Sequence, residues 1–334
     1  MRRIAFMVMG STLLAIWLAG CTPARHAMPE PDAELSYAAW IKQLRDALTA
    51  KGDPVSWLAA GLLSQTPLAE RLQPNADALE MFQRAAEGDP RNAPIATLYA
   101  ATCFRVTACN APAAATTLLA LDPENAIGYL PLLATAQDTP DERAVDVALA
   151  RLAAAERFDT YLNPLIVTAA DALAGTGVLG TPFKGENADS STWIFLAMGG
   201  LAGQNIVVFS GVPTACRGAV STSPRHQSCT TIYRKMMQSD TLVIQALGSS
   251  LLGRLAAPGS PDHQTAREWR RMLDWHSHQI GPAMAVKNAG KLARASEQAI
   301  RAHAREADSM RAILEALQLA PDPPAEWTKP GRTQ

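Results

Sequence analysis

The chain has 334 residues and a formal net charge of −1, with 48% hydrophobic but only 6% aromatic residues. Near-neutrality removes a global electrostatic drive toward nucleic acid or an anionic membrane. Alanine supplies much of the apolar content and the one β-branched knot is Ile206-Val207-Val208, which speaks against sheets and for closely packed helices in an all-α fold.

The start is the most specific stretch. Met1-Arg2-Arg3 precedes an apolar run over residues 4–18, and Leu18-Ala19-Gly20-Cys21 closes it. A basic start, about fifteen apolar residues and a small-residue cut site have the form of a secretory signal. The run is shorter than the roughly 20 residues a spanning helix needs. Leu18-Ala19-Gly20-Cys21 resembles the lipobox of bacterial lipoproteins. That resemblance implies a signal peptide over 1–20, cleavage before Cys21, and acyl chains on its thiol and new amine. Two or three chains, at about 0.8 kcal/mol per buried CH2, would hold the protein on a membrane. Thr22 rather than Asp follows the cysteine; by the same resemblance this implies the outer membrane, on its periplasmic side. Residues 21–34, with Pro29 and Pro31, are expected to be a lipidated tether.

Helical patterning begins near Leu35, where Trp40, Ile41, Leu44 and Leu48 share one face. An internal repeat follows. Asp89-Pro90-Arg91-Asn92-Ala93 recurs as Asp122-Pro123-Glu124-Asn125-Ala126, Asp53-Pro54 precedes the first copy, and Asp159 follows the second without its proline. Each Asp-Pro sits between apolar helical stretches. Asp can cap the new helix, while Pro stops the old one and is tolerated in the first turn of the next. Helix–turn–helix units of this length, with this turn, resemble the tetratricopeptide repeat over roughly residues 37–160. The resemblance implies an irregular α-α superhelix over 35–174 with a concave face that binds peptides or proteins. Pro131 falls where a straight helix is expected.

Beyond Asp159 the spacing degrades. Residues 161–173 read as a helix and 175–191 as a loop. Residues 193–212 are apolar, with no charge between Asp189 and Arg217. The amides Gln204 and Asn205 at its centre make a buried helix pair, turning at Gly203-Gln204-Asn205, a better reading than a membrane span. Residues 228–255 and 263–280 read as further helices, with Gly281-Pro282 breaking the last. Residues 284–319 read as one long helix carrying Val286, Ile300, Met310, Leu314 and Leu317. These elements form a helical C-terminal part over 175–319. Pro321-Asp322-Pro323-Pro324 opens a tail, 320–334, expected to be disordered.

Charge is uneven along the chain. Thr22 to Asp159 holds 11 basic against 18 acidic residues, and Thr160 to Gln334 holds 17 against 13. Solvated helix faces explain the split, and so would halves that meet different partners. Arg267, Arg270, Arg271, Lys287, Lys291, Arg294, Arg301 and Arg305 make the C-terminal helices basic; they read as a solvated face, or as a surface for lipid head groups or an acidic envelope polymer.

Other motifs carry little. Gly175-Thr176-Gly177-Val178-Leu179-Gly180 matches the dinucleotide fingerprint but follows a helix and precedes Thr181-Pro182, so it reads as a loop. Asp274 and His278 stand one helical turn apart, short of a metal site without a third ligand, and read as a surface pair. His26, His226, His263 and His303 are scattered. No cofactor, metal or catalytic residue is indicated.

Once Cys21 is set aside for lipid, Cys103, Cys109, Cys216 and Cys229 remain, and four cysteines allow three pairings. Proximity favours Cys103–Cys109 and Cys216–Cys229, each across a short loop, in an oxidising compartment. The sequence thus predicts an outer-membrane lipoprotein that binds proteins or peptides, or scaffolds them, in the cell envelope. Its expected partners are the membrane, through the anchor, and a protein or peptide, but not nucleic acid. The alternative is an envelope hydrolase whose site is assembled from distant residues.

Overall fold

The computed structural model describes residues 31–65, 76–178, 189–201, 207–283 and 289–329. The signal, Cys21, the expected turn at 203–205 and the last glycine of the 175–180 motif lie outside the described residues. Among the described residues there are no strands, and no helix is long and apolar enough to cross a membrane.

The first helix, α1 (Pro31–Lys51), starts on a proline inside the stretch expected to be tether. It buries Trp40, Leu44 and Leu48, one turn apart. Fully burying each leucine contributes roughly 2 kcal/mol. Gly52, at φ +70°, lets the chain leave the helix, and Asp53 then caps α2 (Pro54–Leu63) by accepting from Ser56 N. The Ser56 hydroxyl, donating to the same carboxylate, is the largest of the effects holding Asp53 below the usual range. Helix α2 has hardly a polar face and is buried almost all round.

Packing then proceeds in chain order through α3 (Ala76–Gly88), α4 (Ala93–Cys103), α5 (Ala111–Leu121), a 3-10 turn (Ala126–Tyr129), α6 (Leu130–Gln137) and α7 (Glu142–Ala154). This is the helical-hairpin superhelix the repeat implies. The turns at Asp53, Asp89 and Asp122 all fall between helices. The capping differs from expectation. Of the three Asp-Pro turns only Asp53 caps the helix that follows; in both repeat copies the asparagine does so, Asn92 accepting from Ile95 N and Asn125 from Ile127 N. Asp89 instead accepts from the Asn92 amide at 2.9 Å and orients it. Pro131 does not interrupt a helix, because it falls in the first turn of α6.

After Thr160 the stack is not extended. Helix α8 (Leu162–Ala174) returns to pack on α2, and α9 (Ser190–Leu201) packs on both. Trp193 stacks on Trp40 with ring centres 5.9 Å apart. The approach is close enough that a Cβ on Gly200 would lie 2.6 Å from Leu62 O. The remaining helices are α10 (Gly211–Ala215), α11 (Pro224–Met237), α12 (Leu242–Leu255), α13 (Pro261–Ala283), α14 (Ala289–Ala302) and α15 (Glu306–Ala316). Helix α11 packs on α7 and α12, α12 on α13, and α14 on α8, α9 and α15.

Three cores result. One joins Trp40, Leu58 and Phe82 to Ile166 and Ile194. The second joins Leu118, Leu133 and Leu149 to Phe209, Ile232 and Met236. The third gathers Leu273, Ile280, Met310 and Leu314. The first two draw on both sides of residue 175, so the helices before and after it are built into shared cores.

Four expectations beyond α9 are corrected, the first being 228–255, which is parted at residues 238–241 into α11 and α12. Helix α13 runs through Gly281-Pro282 to Ala283, with Pro282 inside its last turn, where its missing N–H forfeits one i→i−4 hydrogen bond. The stretch 284–319 is not one helix. It leaves helical geometry at residues 303–305, where His303 O accepts from Asn163 and Glu306 N donates to Asp240 O. Residues 320–329 are an ordered strap on α13 rather than the start of a disordered tail, because α13 offers donors to their carbonyls.

Candidate functional site

Polar side chains gather at three places. The first joins two repeat turns. Asn125, fully buried, donates to Asp159 O at 2.8 Å and accepts from Asp159 N at 3.1 Å, so one amide pairs with the backbone of the next turn like a strand residue. Arg157 reaches Asp122 at 2.5 Å, Asp159 at 2.8 Å and Glu124 at 3.3 Å. Burial alone would lower its pKa, but the Tyr161 hydroxyl and the carboxylates of Asp122 and Asp159 more than reverse this and hold the guanidinium charged. Tyr161, in left-handed geometry at φ 57°, donates to Asp122 at 2.5 Å. Burial, then that hydrogen bond, pushes its phenol up. A backbone strained by about 1 kcal/mol is held here by the surrounding ion pairs. Beside the cluster lies an open hollow of about 400 Å³ lined by Pro123, Glu124, Tyr129, Arg151 and Glu156.

The second cluster is a buried acid pair where three helix ends meet. Asp240, between α11 and α12, accepts from Thr160 N at 2.8 Å, Leu162 N at 3.2 Å and the Thr160 hydroxyl at 3.1 Å. Glu306 accepts from Leu242 N at 2.7 Å and so caps α12, whose own Thr241 makes no side-chain cap. Burial pushes Asp240 up to about 6, the Thr160 and Leu162 amides pulling the other way. Burial, with Asp240 adding to it, pushes Glu306 to about 7. Glu306 is only partly buried as a whole residue, yet its carboxyl is turned inward onto Leu242 N. A raised acid is what proton transfer needs. Here the oxygens are engaged with backbone N–H groups, so the pair works as a junction.

The third place is the face of α13 under the strap. Arg271 donates to the carbonyls of Trp327 at 3.1 Å and Ala325 at 3.0 Å, and also to that of Pro324. Trp275 Nε1 donates to Ala320 O at 2.9 Å, and His276 Nε2 lies 2.9 Å from Pro321 O. A carbonyl only accepts, so Nε2 carries the hydrogen, which leaves Nδ1 as a buried lone pair with no partner among the described residues. Burial holds His276 below its ordinary value. Trp327 meets Trp275 edge-on at 5.2 Å, and Lys329 pairs with Asp274 at 2.9 Å.

The residues singled out in the sequence fall as follows. Cys103 pairs with Cys109 and Cys216 with Cys229, with Cα atoms 5.2 and 5.8 Å apart. Asp274 is bound by Lys329, whereas His278 stands against Trp327. Gly175 ends α8 and its carbonyl accepts from Lys51, as a loop would. The basic residues of the C-terminal helices do not share one free face: Arg271 holds the strap, Arg301 pairs with Asp171 at 2.8 Å, and Arg305 donates to Gln238 O. Charges from the two unequal halves also meet. Arg225 pairs with Asp146 at 2.5 Å and Glu142 at 2.7 Å, and Lys235 donates to Ala153 O at the end of α7. Arg157, Tyr161, Asp240, Glu306 and Arg271 were not legible as a set, since each cluster joins residues far apart in sequence. One signal was available: Asn-Ala opens the helix or turn at Asn92, Asn110 and Asn125 alike, and all three asparagines are caps.

The fold therefore defines an all-α body of helical hairpins closed by returning helices. No protein-family model, no curated protein and no solved structure matches the chain.

Proposed function

We propose that this protein is a lipid-anchored component of the bacterial outer membrane, facing the periplasm, whose helical body binds or scaffolds other proteins or peptides. The observation that carries the reading is the use of the cysteines. Four of the five pair locally inside the body, as exported proteins do, which leaves Cys21 in Leu18-Ala19-Gly20-Cys21 for acylation. Support for binding rather than catalysis comes from how the polar groups are used. The Arg157 cluster and the Asp240–Glu306 pair fasten turns and helix ends, and the hollow beside Tyr129 is wide open.

Cys21→Ser is the test of anchoring. The variant should escape acylation and processing; cutting at the same bond with unchanged membrane association would remove the anchor. Crosslinking of the lipidated protein in intact envelopes tests the second half. Recovery of defined protein partners is expected, and the absence of any, with hydrolysis of an envelope polymer by the purified chain, would favour the enzyme.

A further inference from the structure

The strap is held in the way a bound peptide is held. Its carbonyls at Ala320, Pro321, Pro324, Ala325 and Trp327 accept from Trp275, His276 and Arg271. Main-chain carbonyls carry no side-chain identity, so this part of the contact fits any chain that can bend at 321–322 and turn at 324–327 as the strap does, with Trp327 N donating to Pro324 O at 3.0 Å. Pro321, Pro323 and Pro324 restrict the free chain and so lower the entropic cost of docking it. Identity comes from two anchors, the Trp327 ring against Trp275 and Lys329 on Asp274. Arg311 of α15 adds an ion pair to Asp322 at 3.0 Å.

The burial pattern separates ligand from receptor. None of residues 320–329 is buried, whereas Asp274, Trp275 and His276 beneath them are 8%, 7% and 3% exposed. The strap thus conceals an aromatic and polar face while contributing no core residue of its own. Removing it would bare an indole, an imidazole and a guanidinium, all donors, on one face of α13.

We propose that this face of α13 is a docking site for proline-bearing, tryptophan-containing segments of other proteins that turn as the strap does, and that residues 320–329 occupy it in cis. The proposal names the partner class of the binding module and rests on that reading. A tethered strap competes at an effective concentration on the order of 1 mM, so it masks the site from a micromolar partner until displaced.

The probe is a fluorescein-labelled synthetic peptide of residues 319–329, titrated by anisotropy with the full chain. Trp327→Ala in the chain weakens the cis strap, and this variant should bind the peptide at least about tenfold tighter than the unaltered chain. Lys329→Ala should shift binding in the same direction. Arg271→Ala added to Trp327→Ala should abolish it. Replacing Ala320, Ala325 and Thr328 in the peptide should change affinity by less than about threefold, since those positions offer only carbonyls or solvent-facing side chains. The proposal fails if both strap variants, with unaltered circular dichroism and unfolding midpoint, bind the peptide no better than the parent chain. It also fails if binding survives Arg271→Ala. Such a failure with envelope crosslinks intact would leave the scaffold in place and remove only this face as its site.

Discussion

Asn125 gives the sharpest test of how the repeat turns hold together. It and Asn92 occupy equivalent positions in the two copies of Asp-Pro-x-Asn-Ala, and both cap the backbone that follows. Their surroundings differ. Asn92 is half-buried and serves only its own turn, through Ile95 N and Asp89. Asn125 is fully buried and also pairs with both backbone groups of Asp159, 34 residues on. Losing a cap costs about 1 kcal/mol, the whole expected effect of Asn92→Ala. Asn125→Ala loses the same cap and strips the Asp159 N–H and C=O of partners, at roughly 1 kcal/mol each for a partly buried turn. The expected costs are therefore about 1 kcal/mol for Asn92→Ala and about 3 kcal/mol for Asn125→Ala. Urea unfolding followed by circular dichroism, with equal m-values required of both variants, measures the difference. Equal losses would show that the turn-to-turn pairing contributes nothing to stability, and the account of how the turn at Asp159 docks on the turn at Asp122 would be wrong.

Three further outcomes are expected. Breaking Cys103–Cys109 and Cys216–Cys229 by reduction should lower stability by about 2.5 and about 3 kcal/mol for closures of roughly 7 and 14 residues; peptide mapping without reductant should recover only these two linkages, and a 103–216 linkage would contradict the fold. Gly200→Ala should cost about 1–3 kcal/mol, because its Cβ would meet Leu62 O at 2.6 Å, and an unchanged unfolding midpoint would mean α9 does not approach α2 so closely. Glu306 has a folded value of about 7 against an ordinary 4.5, so the folded state holds that proton more tightly. Stability should rise as pH falls from about 8 through 7 toward 5, and Glu306→Gln, which still accepts from Leu242 N, should add up to about 3 kcal/mol at pH 8 and flatten the profile. A parallel pH profile in the variant would rule this out.

Local physics was legible where it decided the outcome. Trp40, Leu44 and Leu48 recur with the helical period and are buried together. Asp-Pro turns mark helix boundaries because proline cannot continue a helix, and Cys216 and Cys229 pair because the intervening loop is short. The path of the chain after Thr160 was not legible. An apolar stretch such as Ser190–Leu201 announces that it will be buried but not against which helices, and one of its partners, α2, lies well over a hundred residues earlier. The break at residues 303–305 was hidden for the same reason: the backbone leaves the helix to reach Asp240 and Asn163, which no local pattern names. The strap shows the converse error. Its prolines argue against a helix, which in the sequence alone suggests disorder, though a non-helical chain that presents its carbonyls is what Arg271, Trp275 and His276 can hold.

The strap and the acid pair should answer protons with opposite sign. His276 donates through Nε2 to Pro321 O, and its Nδ1 is buried without a partner among the described residues. Protonation would place a second N–H where nothing accepts it, so burial lowers its pKa, with Arg311 lowering it further and the Pro321 contact and Asp322 opposing. A histidine with a lowered folded value contributes stability that is fully present above its ordinary value of 6.5 and is lost as pH falls toward the folded one. Mild acid should therefore loosen residues 320–329 from α13 while Glu306, taking up its proton, tightens the junction of α12 with α15. NMR of ring-labelled histidine and backbone-labelled chain separates the two. His276 should stay neutral below pH 6.5, and amides of the strap should shift as it titrates, while those around Leu242 respond nearer pH 7. If His276 titrates at its ordinary value and the strap amides ignore it, the imidazole is not buried beneath the strap as described. If both sets of amides move together, the strap and the junction are one cooperative unit, and the strap could not be displaced without opening the body.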